Sequence, residues 1–96
     1  MSLQILLVGR HPIIMQRALQ ILRERSLTAD VAYDVTDVER LAQQNPYDVI
    51  VIGGGVATAT RDTIKKFIAE YYPPTKVIEH LGELESLPSD IKRALN

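Results

Sequence analysis

The residues best suited to chemistry in this sequence are the run Gly53-Gly54-Gly55, the turn Gly9-Arg10-His11-Pro12 and a second histidine, His80. Consecutive glycines let backbone N–H groups point at an anion, and the N-terminus of a following helix adds a favourable field. Thr58, Thr60 and Arg61 lie just downstream and would add hydroxyl and guanidinium donors. The chemistry in view is binding of a small anionic ligand such as a nucleotide or phosphate. The spacing, however, is not that of an established phosphate cradle. GGGVATAT lacks the Gly-Lys-Ser/Thr ending of the P-loop and does not fit the dinucleotide fingerprint. Glycines that only accommodate a tight turn are the competing explanation. Arg10 is either an anion hook or an ion-pair partner for Asp34 or Asp37.

No catalytic constellation accompanies these residues. With no cysteine, a thiolate nucleophile, a disulfide and a Cys-based metal site are all excluded. No serine stands at a nucleophile elbow, and no two carboxylates can be assigned to one pocket. His11 and His80 lack an assured third ligand and make a poor metal site. The expectation is a non-enzymatic protein with no catalytic residue, no bound metal and no cofactor.

Eleven Lys and Arg balance twelve Asp and Glu, whereas a dedicated nucleic-acid binder carries a clear basic excess. No apolar run approaches the roughly 20 residues of a membrane-spanning helix. Met1 leads into a strand-like run without a basic leader, which predicts no secretory signal and a cytoplasmic protein. The 96 residues suffice for one domain covering 1–96.

The elements that must position these residues alternate in type. Leu3 to Val8 reads as a strand covered on both faces. Pro12 suits the first turn of a helix running to about Arg25, with Ile14, Ala18, Ile21 and Leu22 on its inner face. Ala29 to Val35 is a second strand. Thr36 and Glu39 have the spacing of a capping box for a helix that buries Val38, Leu41 and Ala42 and stops at Asn45-Pro46. Asp48 to Ile52 is a third strand, ended by the glycines. A helix from about Thr60 to Tyr71 turns Ile64, Phe67 and Ile68 inward, with one of Tyr71 and Tyr72 on the sheet and the other exposed. Lys76 to Leu81 is a fourth strand, and Leu87, Ile91 and Leu95 space a last short helix. Strand–helix alternation on this scale predicts a parallel sheet with helices on both faces.

The stretch from Ile5 to Val56 resembles the receiver domain of two-component response regulators. ILLVGRHPIIMQRAL is similar to the family's first strand, acidic pair, His-Pro and first helix, and YDVIVIGGG to its third strand. The resemblance implies a three-layer, doubly wound sheet that binds at the carboxyl ends of its strands, here in the order 2-1-3-4 with one strand–helix unit lost. It also brings the polar residues together: Gly9, Arg10, His11, Gly53, Gly54, Gly55 and Thr58 form the expected ligand edge, with His80 nearby.

The same resemblance marks what is missing. The family's Mg²⁺-binding acidic pair is here Gly9 and Arg10, and its phosphoacceptor aspartate is Gly53. The family's hydroxyl residue falls near His80, and its lysine has no counterpart. The implied function is a non-phosphorylatable regulatory module that binds a protein partner or forms a homodimer. The alternative is an anion-binding module that uses the glycine edge. A second copy is expected to pair either through the fourth strand, as an open edge, or through the third and fourth helices.

Overall fold

The computed structural model describes residues 3–96. Four strands, β1 (Ile5–Val8), β2 (Ala29–Ala32), β3 (Val49–Gly53) and β4 (Lys76–His80), form one parallel sheet in the order β2-β1-β3-β4. Helices α1 (Pro12–Arg23), α2 (Val35–Gln44), α3 (Thr58–Tyr71) and α4 (Leu87–Leu95) alternate with them, and a 3₁₀ turn at Leu84–Ser86 precedes α4.

β1 and β3 are buried along almost their whole length, because both are interior strands with helices on each face. Their side chains divide by parity into two cores. Leu6, Val8, Ile50 and Ile52 meet Val38, Ala42, Ile64 and Ile68 of α2 and α3. Ile5, Leu7, Val49 and Val51 meet Met15, Ala18 and Leu22 of α1 and Leu87 and Ile91 of α4. The period-2 alternation of a strand sends successive residues to opposite faces, so continuous apolar runs such as ILLV and VIVI feed both layers at once.

The face chosen by α4 has a physical reason. The crossovers β2-to-β3 and β3-to-β4 place α2 and α3 together on one face, leaving α1 alone on the other. A helix that left β4 for the crowded face would leave Val49, Val51 and Ile78 wet. α4 packs beside α1 and covers them.

Several local expectations are corrected. α1 is rotated from the expected stripe: its buried residues are Met15, Ala18 and Leu22, while Ile13 and Ile14 are 81% and 48% exposed. Both stripes satisfy helical spacing, and Met15 rather than Ile14 reaches the sheet. The cap of α2 is not Thr36 with Glu39. Asp34 accepts a hydrogen bond from Asp37 N–H (2.8 Å), and Asp37 reaches back to accept from Tyr33 N–H (3.0 Å). The reciprocal capping logic is intact, shifted two residues earlier and built from aspartates. β2 consequently ends at Ala32. α3 begins at Thr58, and Tyr72 packs on the core while Tyr71 is exposed. α1 is closed by Leu27 N–H bonding to Leu22 C=O and Ser26 N–H to Arg23 C=O, both 2.9 Å, with Ser26 in the left-handed region at φ 61°.

The amino edge of the sheet is tied by polar groups around Tyr47. The buried phenol donates to Asp30 Oδ2 (2.5 Å), Thr75 Oγ1 donates to the Tyr47 carbonyl (2.7 Å), and Asp48 accepts from Gln4 N–H (2.8 Å). Burial, with the Asp30 carboxylate beside it, pushes the Tyr47 phenol far above its ordinary value of 10.0. A value raised on folding means a contribution that is whole below the unfolded value and is lost as pH rises through the folded one. Stability is therefore expected to fall in alkali beyond about pH 10, the ordinary phenol value. Tyr47→Phe should lose that alkaline slope and cost about 1–2 kcal/mol at neutral pH, as read by urea unfolding at both pH values.

Candidate functional site

The carboxyl ends of β1, β3 and β4 bring together most of the residues singled out from the sequence. They line a groove of about 420 Å³, with Gly9, Arg10 and His11 from the β1–α1 turn, Gly53, Gly54 and Gly55 after β3, and His80 at the end of β4. Its apolar walls are Ile14 and Met15 of α1, Leu81, Leu84 and Leu87. Thr58 is not among the lining residues. As the first residue of α3 it is exposed and points no hydroxyl into the groove.

Two of the glycines are explained by close approach rather than by turn geometry, since no glycine has a positive φ among the described residues. A Cβ at Gly9 would collide with the Met15 sulfur, and one at Gly53 would stand 3.3 Å from the Val8 carbonyl oxygen. Gly54 and Gly55 have ordinary room, facing Leu81 and the His11 ring at 3.5 and 3.8 Å.

The glycine loop is held, and Arg61 holds it. Its Nε donates to the Val56 carbonyl (2.9 Å), Nη2 to the Gly54 carbonyl (3.2 Å) and Nη1 to Glu79 Oε1 (2.9 Å). Lys65 Nζ donates to the other Glu79 oxygen (2.9 Å). Hydrogen bonds from Lys65 and then Arg61 hold the Glu79 carboxyl below the usual carboxylate range. Arg61 is therefore spent on the fold and not offered to an anion, which corrects its place among the expected donors.

Arg10 has the opposite fate. Neither Asp34 nor Asp37 pairs with it, since Asp34 caps α2 and Asp37 engages Tyr33 N–H and Arg40. Among the described residues Arg10 forms no ion pair and stands exposed at the mouth of the groove. His11 is also exposed; as N-cap of α1 it makes no side-chain cap.

His80 is the residue whose surroundings no local pattern foretold. It is 6% exposed, with Nδ1 2.8 Å from Asp90 Oδ2 and Nε2 2.8 Å from the Glu83 carbonyl oxygen. Ten residues separate His80 from Asp90, and only the return of α4 across β4 makes them neighbours. Among the described residues no three His, Asp or Glu side chains converge as metal ligands would.

No family model matches the sequence, and no curated protein matches it. Solved structures do match. An orphan response regulator of H. pylori aligns with a TM-score of 0.79 at 15% identity, covering 99% of this chain and 98% of that one. The signal receiver domain of an HD domain-containing protein from Pseudomonas fluorescens Pf-5 gives 0.81 at 19% identity, covering 99% and 95%. The fold is that of a response-regulator receiver domain. A response regulator from Thermotoga maritima gives 0.79 at 11% identity, covering 99% of this chain and 98% of that one. At such identities the likeness concerns the fold. On the receiver fold, the carboxyl edge just described is where ligands of doubly wound sheets bind. Gly9, Arg10 and Gly53, however, offer no carboxylate there for a hard cation, and Arg10 brings a like charge.

Proposed function

We propose that this chain is a receiver-like regulatory module, one domain over residues 1–96, that acts in the cytoplasm by contact with a protein partner or a second copy and transfers no phosphoryl group. The observation that carries this reading is the character of the carboxyl edge. Ile14, Tyr33 and Leu81, three of the five exposed large hydrophobic residues among those described, line the groove or the hollow beside it, and unpaired Arg10 borders both. Exposed apolar surface gathered in one place marks an interaction site, whereas scattered residues carry no such meaning. The glycines at 9 and 53 supply neither a phosphoacceptor nor a metal ligand. No helix among the described residues is long and apolar enough to cross a membrane, which fits a module that works in solution.

β4 favours the second copy as one such partner. It is an edge strand with half-buried Val77 and Ile78, and its acidic residue Glu79 is already neutralised by Arg61 and Lys65. An unpaired edge of this kind can extend the sheet across a two-fold axis.

Native mass spectrometry before and after Mg²⁺ and acetyl phosphate tests both parts. The expected spectrum shows a dimer and no phosphoryl adduct. A stable phosphoryl adduct would overturn the proposed inertness. A monomer at every concentration would withdraw the second copy and leave only a different protein as partner. Leu81→Glu, at a 71% exposed position, should weaken association through the carboxyl edge without unfolding the chain.

A further inference from the structure

We propose that His80 is a doubly protonated clasp between β4 and α4, and that loss of one proton frees the Leu81–Ser86 segment that walls the carboxyl-edge groove. The argument starts from hydrogen-bond inventory. Asp90 Oδ2 and the Glu83 carbonyl oxygen both only accept, and each lies 2.8 Å from a different ring nitrogen. A neutral imidazole carries one N–H, so one of these contacts would bring two lone pairs together. Only the imidazolium donates to both. Its charge, in a side chain 6% exposed, is balanced by Asp90 at hydrogen-bond distance.

The charged groups around the ring are few. From α4 come Asp90 and, behind it, Arg93, 3.9 Å from Asp90 Oδ1. The connecting segment supplies the exposed side chain of Glu83, and Glu85, which pairs with Arg17 of α1. The β1–α1 turn places Arg10 and His11 on the same groove. On β3 the residue in register with His80 is Gly53, which cannot ionise. Glu79, the neighbour on β4, is taken up by Arg61 and Lys65 of α3.

Two features decide which contact is lost first. The bond to the carboxylate is charge-assisted and the stronger of the two, so the proton leaves Nε2. The Glu83 carbonyl can then retreat cheaply, because it keeps donors of its own in Ser86 Oγ (2.8 Å) and Ser86 N–H (3.1 Å). Leu81, Glu83 and Leu84 all line the groove, so the segment that loosens is its wall. The bearing of the clasp on partner docking rests on the function proposed above; the clasp itself does not.

The test starts from the unaltered protein. In isotope-labelled protein, the His80 ring nitrogen shifts and the amide exchange of residues 83–87 are followed by NMR over about pH 5.5–8.5, the span in which imidazoles titrate. At the acid end both ring nitrogens should carry protons, and at the alkaline end Nε2 alone should have lost its own. Over the same span, exchange protection of these amides, corrected for intrinsic exchange, should fall about tenfold, the worth of one hydrogen bond to a charged group. A neutral ring in a single tautomer throughout would overturn the proposal, as would a ring that titrates while protection stays constant. In Asp90→Asn the loosened state should already be present at the acid end; a profile like that of the unaltered protein would equally sink it. Association measured at both pH extremes separates the two readings. If only the docking reading fails, the NMR changes occur with no change in association. If only the clasp fails, association depends on Leu81 while the NMR profile is flat.

Discussion

Arg61→Ala is expected to lower the unfolding free energy by about 3 kcal/mol, with an unchanged denaturant slope in urea. The side chain is 20% exposed and makes three hydrogen bonds, two to the turn after β3 and one to β4. Two of them satisfy the carbonyls of Gly54 and Val56, which the turn after β3 leaves without a helical or ladder partner. Bonds from a charged donor contribute roughly 1.5–3 kcal/mol each, and truncation removes both carbonyl bonds together. The third bond, to Glu79, fastens α3 to the edge strand β4. Lys65→Ala is the control. Lys65 reaches Glu79 from a 43% exposed position and touches no backbone, so its loss should be close to neutral. Equal losses for the two substitutions would mean that Arg61 acts only as a surface charge and that the glycine loop does not depend on it. Acid separates the two roles as well. Glu79 is held below the ordinary carboxylate range, so its pairing is present at neutral pH and is lost as pH falls through that depressed value. The carbonyl bonds of Arg61 do not titrate and should persist, so the difference between the native protein and Arg61→Ala narrows in acid without vanishing.

The same residue shows where the sequence was readable. Arg61 stands near a glycine run and was expected among anion donors, yet its partners are carbonyls of that very loop. Composition and spacing reveal that a cation is close to the glycines, and they carry nothing about whether it faces outward or back. The strands were legible because ILLV and VIVI are too short and too branched to be anything but buried strands between breaking residues. The helix faces were less so. Ile14 and Met15 are adjacent, both apolar, and both extend a stripe through Ala18 and Leu22, so the rotation of α1 depends on tertiary contact with Leu7 and Val51. The cap of α2 is not legible because Asp34 and Asp37 have the same spacing as Thr36 and Glu39, and periodicity cannot choose between two polar pairs two residues apart. His80 with Asp90 was beyond reach altogether. The pairing is a property of which face α4 takes, and no local signal specifies that.

Ile91→Ala should cost about 3 kcal/mol, within the range for truncating a fully buried branched side chain. The argument turns on the length of α4. Nine residues fall short of the roughly 12–15 at which an isolated helix becomes even marginal in water, so α4 exists because of what it covers. Its apolar stripe is Leu87, Ile91 and the half-buried Leu95, and Ile91 is its central, fully buried member. With one strand–helix unit fewer than a five-stranded receiver, the second core has only α1 and α4 to close it. Loss of α4 leaves Val49, Val51 and Ile78 exposed to water. The effect should therefore exceed the transfer term of the deleted methyl groups, and amide protection along α4 should fall more than that of β1 or β3. Lys92→Ala, one position along and exposed, should leave both quantities unchanged within experimental error. A cost for Ile91→Ala below about 1 kcal/mol would mean that the cavity collapses freely. The second core would then be closed by α1, and α4 would be an appendage held by the His80–Asp90 contact. In that case His80→Gln should release α4 by itself, with circular dichroism reporting the loss of one short helix and urea reporting little change in the stability of the remaining sheet.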